Sequence, residues 1–236
     1  MKTLIICLLL WLPTALLAGN YSTSLVVQTG QLREGDLVVR HITDLATRKT
    51  CLAFYIRTPG TSPTIDCYDV SGEFGTTIRQ VSHIKRDDIV IRKIEDVKHN
   101  RACMVTYVRT PGTSPAVACY NNASGQQSVL RDTGHLREGD LDVYRVQDAG
   151  ARRTCLIAHV QTEKTAPSVY CYDAAKPSSA GLHQLDKLRE GDLIVRKIAD
   201  EANQMMCMIT YVATPGTSSR LFCFTKGQGQ GQAANQ

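Results

Sequence analysis

Short apolar runs, rich in β-branched residues, recur four times along the chain and dominate its pattern of hydrophobic and polar positions. The first lies in Leu32–Asp44, LREGDLVVRHITD, and its counterparts begin at Ile84 (IKRDDIVIRKIED), Leu136 (LREGDLDVYRVQD) and Leu188 (LREGDLIVRKIAD). Leu37, Val39 and Ile42 thus correspond to Ile89, Ile91 and Ile94. Runs this short and this β-branched favour strands over helices. An aspartate stands before each strand (Asp36, Asp88, Asp140, Asp192) and another follows it (Asp44, Asp96, Asp148, Asp200). Aspartate suits turns because its side chain bonds nearby backbone N–H groups.

The polar, variable segment Leu45–Lys49 and its copies read as a hairpin loop. A second strand pair follows. CLAFYI and TIDCYD flank the tip RTPGTSP in the first copy, and CMVTYV with AVACYN, CLIAHV with SVYCYD, and CMITYV with RLFCFT take their place later. Val26, Ile78, Leu130 and Leu182 are equivalent apolar positions that mark a further, weaker strand at the start of each copy. Each copy is therefore a β-meander, and the chain is all-β.

Cysteines sharpen this picture. Cys51, Cys103, Cys155 and Cys207 form one series and Cys67, Cys119, Cys171 and Cys223 a second, and both step by 52 residues without insertion. Positions opposed across an antiparallel hairpin sum to a constant, and Cys51 and Cys67 centre on Pro59. That places each pair within disulfide reach inside its own copy. Bridging between neighbouring copies is the alternative. A strict two-residue turn at Pro59-Gly60 would oppose Cys51 to Tyr68, so the hairpin needs a bulge or an odd-numbered loop. Arg57–Pro63 is the expected loop, built around a type II turn. The cysteines lack the close spacing of structural zinc sites and form no CxxC pair. No metal and no cofactor are expected.

The ends frame the repeats. Met1–Ala18 has Lys2, an apolar run from Leu4 to Leu12, and a small residue before Gly19, the outline of a cleaved signal peptide. The run is too short to span a bilayer, so no transmembrane span is expected after processing. Its loss removes Cys7 and Trp11, leaving an even set of cysteines and no tryptophan. Export, to the medium or a periplasm, matches disulfide formation. The expected division is a signal peptide over 1–18, repeats over 19–72, 73–124, 125–176 and 177–226, and a low-complexity, disordered tail over 227–236. Copies of this size fit a propeller-like ring, and an open row or paired sandwiches compete with it. The Gly-, Ser-, Asn- and Ala-rich links Asp69–Thr77, Asn121–Gln127 and Asp173–Ala180 suit either arrangement.

The net charge of +5 is spread among interspersed acids and bases, with only 6% aromatic residues. No basic stripe with stacking aromatics is present, which argues against nucleic acid as a partner. Only His83 and His135 of the six histidines occupy equivalent positions, and His159 replaces a tyrosine of the other copies. No nucleophile elbow, zincin, phosphate-loop or calcium-loop motif occurs. Paired aspartates flanking a strand, such as Asp36 and Asp44, are conceivable hydrolytic carboxylates. Turn capping, or bridges to Arg40, Arg92 and Arg196, accounts for them more simply. The chain is therefore read as a non-enzyme.

Binding is the better reading. Copies one, two and four carry similar tips, which make Arg57, Pro59, Gly60, Arg109, Pro111, Gly112, Pro215 and Gly216 the candidate contacts to a protein or glycan surface. Arrayed weak contacts gain avidity when they engage together. Copy three has QTEKTAP, with Glu163 and Lys164 in place of Pro and Gly. A secreted inhibitor presenting one tip to an enzyme cleft is the alternative, and an Asp-dependent hydrolase is third. Tyr68, Tyr120, Tyr172 and Phe224 lie opposite the disulfide face and serve either as core or as an exposed platform. Asn20 and Asn122 begin glycosylation-type triplets.

Overall fold

In the computed structural model the described residues are 25–70, 75, 77–122, 129–173 and 180–226. The signal-peptide segment, the tail, the Asn20 triplet, the last two residues of the Asn122 triplet and most of each link lie outside them.

The described residues form sixteen strands, β1 to β16 in chain order, and no helix. The first copy supplies β1 (Val26–Glu34), β2 (Leu37–Asp44), β3 (Lys49–Ile56) and β4 (Thr64–Asp69). The second supplies β5 (Ile78–Arg86), β6 (Ile89–Asp96), β7 (Arg101–Val108) and β8 (Ala116–Asn121). The third supplies β9 (Leu130–Glu138), β10 (Leu141–Asp148), β11 (Arg153–Val160) and β12 (Ser168–Asp173). The fourth supplies β13 (Leu182–Glu190), β14 (Leu193–Asp200), β15 (Met205–Val212) and β16 (Arg220–Thr225). Each copy is one four-stranded antiparallel sheet in plain chain order. The weak strand at the start of each copy is thus a full edge strand. It carries the same irregularity every time: Thr29, Val81, Thr133 and Leu185 each fall out of register.

The cysteines pair within each copy. Four disulfides join Cys51–Cys67, Cys103–Cys119, Cys155–Cys171 and Cys207–Cys223, with Cα atoms 4.0–4.1 Å apart. Each is a directly opposed pair in its hairpin. The loop between β3 and β4 is Arg57–Pro63. Gly60, Gly112 and Gly216 have φ of 78°, 86° and 81°, the left-handed third position that defines a type II turn. Among the described residues no helix is long and apolar enough to cross a membrane.

The sheets stack in chain order as an open row rather than closing into a propeller-like ring. Strands β4, β8, β12 and β16 lie over one another along one edge, and β1, β5, β9 and β13 along the other. The described residues hold three hydrophobic clusters, each joining two consecutive sheets. A ring of four sheets would need a fourth, between the first and the last. The burial patterns agree. In the inner sheets, β7 and β11 bury nearly every residue, whereas β3 and β15 of the outer sheets alternate strictly.

The stacking is head-to-tail. Leu37, Val39, Leu52 and Phe54, on the face of sheet one opposite its disulfide, pack on Ile94, Cys103 and Val105 of the disulfide face of sheet two. The same two kinds of face meet at the next two interfaces, with Ile91 and Met104 against Val146 and Cys155, and Leu156 against Ile198 and Cys207. Buried polar bonds lock this register. Asp96, Asp148 and Asp200 of copies two to four receive His41 (3.0 Å), Lys93 (2.6 Å) and Arg145 (2.6 Å) from the copy before. The hydroxyls of Tyr68, Tyr120 and Tyr172 donate to the same three carboxylates. These tyrosines are therefore core, not an exposed platform. The partners of these three aspartates are residues 41, 93 and 145; of the arginines at 40, 92 and 196, Arg196 bridges a different strand-flanking aspartate, Asp140, at 2.7 Å. Asp44 alone behaves as a plain turn cap, accepting from the Ala46 and Thr47 amides.

Candidate functional site

A cavity of about 520 Å³ opens between the second and third sheets. Asp87 and Asp88 of the β5–β6 turn, with Ile89, Val108 and Thr110, line it from copy two; Arg137, Asp142, Tyr144, His159 and the tip Gln161–Thr165 line it from copy three.

The repeat shows why the cavity is here. Asp142 stands where the other copies have Val38, Val90 and Ile194. Tyr144 replaces Arg40, Arg92 and Arg196, and His159 replaces Tyr55, Tyr107 and Tyr211. Gln161 replaces Arg57, Arg109 and Ala213, and Glu163-Lys164 replaces each Pro-Gly. On the facing wall Asp87 replaces Gly35, Gly139 and Gly191. Residues that leave the repeat pattern at separate places in the chain thus converge on one cavity.

Local structure places each of them. Asp142 and Tyr144 alternate along β10, so both point to the disulfide face, which is turned towards copy two. Asp142 is 3% exposed. The His135 Nε2–H donates to it at 3.0 Å, the Gln161 amide donates to its other oxygen, and the Arg137 guanidinium stands 4.0 Å away. Arg137 also donates to the Gln161 side-chain oxygen Oε1 at 2.8 Å. The His135 and Tyr144 rings stack with centroids 4.5 Å apart and planes within 7°. Burial, reinforced by Asp142 and Asp87, pushes the Tyr144 hydroxyl up to about 12. Burial pushes the His159 imidazole below its ordinary value, against the pull of Asp142 and Asp88. At neutral pH the site therefore holds a neutral imidazole and a protonated phenol. Its other polar walls include the carboxyl side chains of Asp87, Asp88, Asp142 and Glu163, with Arg137 and Lys164 as the cations and the hydroxyls of Thr110, Thr162 and Thr165. Carboxylates outnumber cations.

The hairpin tips singled out from the sequence line up along one edge of the stack, but they also bond to one another. The Gly112 amide donates to the Pro59 carbonyl and the Gly216 amide to the Glu163 carbonyl, both at 3.0 Å. The Ser62 amide donates to the Ser114 hydroxyl at 2.9 Å. Thr61, Thr113 and Thr217 close their own turns through the carbonyls of Ile56, Val108 and Val212. Arg57, Pro59, Gly60, Arg109, Pro111, Pro215 and Gly216 are exposed, while Gly112 is half-buried. Only the tips of copies two and three border the cavity. Glu163, Lys164 and His159 were visible in the sequence as departures of copy three. Asp142, Tyr144 and Asp87 were not, although laying the copies on one another at every position, not only at the tips, exposes them.

A second polar cluster needs weighing. His41, Asp96 and His99 bring their ligand atoms within 4.8 Å of one another in the first interface. His41 Nδ1 is bonded to the Thr29 hydroxyl and its Nε2 to Asp96, so both ring nitrogens are engaged. The imidazole also occupies the slot that Lys93 and Arg145 fill further along, which marks this as a structural ion-pair position. No known family matches this chain, and no curated protein matches it either.

Proposed function

We propose that this protein is an exported binding module that holds a hydroxyl- or amine-rich group, of the kind a glycan surface presents, in the cleft between its second and third copies. The observation that carries the reading is the convergence of Asp87, Asp142, Tyr144, His159, Gln161, Glu163 and Lys164 on one cavity while their counterparts keep the repeat pattern. A volume of about 520 Å³ suits a small ligand, for which pockets run roughly 300–1,000 Å³. Carboxylates and an amide beside a stacked aromatic pair supply acceptors for several donors at once. The tips of copies one, two and four serve as the rigid edge that holds the divergent tip in place. Export is supported by the leader-like residues 1–18 and by disulfides that persist in oxidising compartments. No reaction is proposed: Asp140, one of the strand-flanking carboxylates, is tied to Arg196 at 2.7 Å and Tyr211 at 2.9 Å.

The test is a glycan array followed by calorimetry, with the oxidised mature chain and a variant carrying Asp142→Val, His159→Tyr, Glu163→Pro and Lys164→Gly. These substitutions restore the pattern of the other copies, so the fold survives. Binding by the parent chain and its loss in the variant support the proposal. Equal binding by both chains, or retention by neither on any glycan, overturns it. A chain that instead blocks an enzyme, and fails when one tip alone is altered, is the inhibitor of the alternative reading.

A further inference from the structure

The two end faces of the stack are the two faces that mate inside it. Among the described residues, the disulfide face of copy one has no sheet before it, and the opposite face of copy four has none after it. Both keep the apolar residues of the internal interfaces. Leu37, Ile89 and Leu141 are at most 2% exposed, whereas the equivalent Leu193 is 44% exposed. Leu32, Ile84 and Leu136 pack into the three clusters, whereas Leu188 is 60% exposed. At the other end Leu130 and Leu182 are buried and Ile78 is packed, whereas Val26 is 59% exposed. Val117, Val169 and Leu221 pack into the cores, and the equivalent Ile65 is 59% exposed.

The charges match as well. The ladder His41–Asp96, Lys93–Asp148, Arg145–Asp200 leaves Lys197 at one end and Asp44 at the other. Lys197 has no carboxylate partner among the described residues. A second pair repeats this arrangement. Arg196 and Tyr211 of copy four reach Asp140 of copy three at 2.7 and 2.9 Å. Arg40 and Tyr55 of copy one are arranged in the same way, with Arg40 bonded to Gln28 as Arg196 is to Gln184. Their target would be Asp192, the counterpart of Asp140, on another molecule.

We propose that copy one of one molecule docks on copy four of the next, so that the chain assembles head to tail by continuing its own internal stacking. The occupant of each end face is a second copy of this chain. Lys197 pairs with Asp44, Arg40 with Asp192, and the Gly60 amide with the Pro215 carbonyl, as the Gly216 amide pairs with Glu163 inside the stack. Because the contact uses two different faces, it generates an open filament unless the rotation per molecule closes a ring. One internal bond is missing at the joint: Phe224 stands where Tyr68, Tyr120 and Tyr172 donate to the next aspartate. The joint is therefore weaker than the internal interfaces, and assembly is reversible and concentration-dependent.

Sedimentation velocity on the oxidised mature chain over a concentration series is the test, with Ala53→Glu to spoil the copy-one face and Leu193→Glu to spoil the copy-four face. Both positions lie at the open ends of the stack, and an unchanged circular dichroism spectrum verifies the fold. The parent chain is expected to grow into oligomers without a fixed size, or into one closed ring, and each variant alone to stay monomeric. An equimolar mixture of the two variants should form a one-to-one dimer and stop, because only one intact joint is available. A parent chain that stays monomeric at every concentration overturns the proposal. So does an oligomer that persists in either single variant, or a mixture that remains monomeric.

Discussion

His41, Lys93 and Arg145 solve one problem with three different side chains. Each carries a donor to an aspartate of the next copy, 55 residues ahead, in a site closed to water. Charges taken out of water are costly unless paired, and removing one partner alone costs about 3–5 kcal/mol, whereas replacing both by apolar residues is often neutral. Lys93→Met should therefore lower the unfolding free energy from urea denaturation by about that amount, because Asp148 is left buried; Glu95, another partner of Lys93, keeps Arg79 at 3.0 Å. Adding Asp148→Leu should recover most of the loss. Acid acts on the same slot. Burial alone would raise the Asp96 carboxyl, but the hydrogen bonds of His41, Tyr68 and His99 outweigh it and hold the group below the usual carboxylate range. A depressed folded-state value means that its contribution is present above the unfolded value of about 4 and is lost as pH falls through the folded one. Asp96→Asn should flatten the acid limb of the stability curve below about pH 4, as followed by near-ultraviolet circular dichroism.

The hairpin is the element on which each copy depends, and its disulfides are chemically alike but differently placed. Cys67 is exposed on the outer face of sheet one, Cys119 and Cys171 are half-buried between sheets, and Cys223 is buried. Mild reductant should open Cys51–Cys67 first, which timed alkylation and peptide mapping will reveal. Each closed loop is worth about 3 kcal/mol in the chain-entropy account. Replacing Cys103 and Cys119 together by alanine should cost about that much, in thermal or urea unfolding. The tip loop and the paired cysteines were legible because everything that fixes them lies within a 19-residue stretch. The recurring bulge in the first strand was not. Thr29, Val81, Thr133 and Leu185 have no one residue type in common, and the bulge answers to the register of the neighbouring strand rather than to a residue type.

At the scale of the whole molecule the fold is a linear array, in which the three hydrophobic clusters among the described residues each join two consecutive sheets. Stability in such arrays is close to a sum of unit and nearest-neighbour terms. A chain ending at residue 176 should therefore keep three folded sheets, with a lower urea midpoint. The cleft belongs to this scale too. Its walls come from two sheets, and Asp87 and Asp142 meet only because copy three is stacked on copy two.

The amino-acid order alone settled the strands, the four-fold repetition and the disulfide partners, since each depends on residues close along the chain and on a period that can be counted. It could not settle how the sheets associate. Both faces of every copy are apolar enough to be buried, so the local pattern suits a ring, separate pairs or a row equally well. The choice rests on side chains far apart in sequence, an aspartate in one copy and a cation in the copy before, whose pairing has value only once water is excluded from between two sheets. Tertiary stacking made that choice, and with it decided which faces are core, which stay open at the ends, and where the departures of copy three come together.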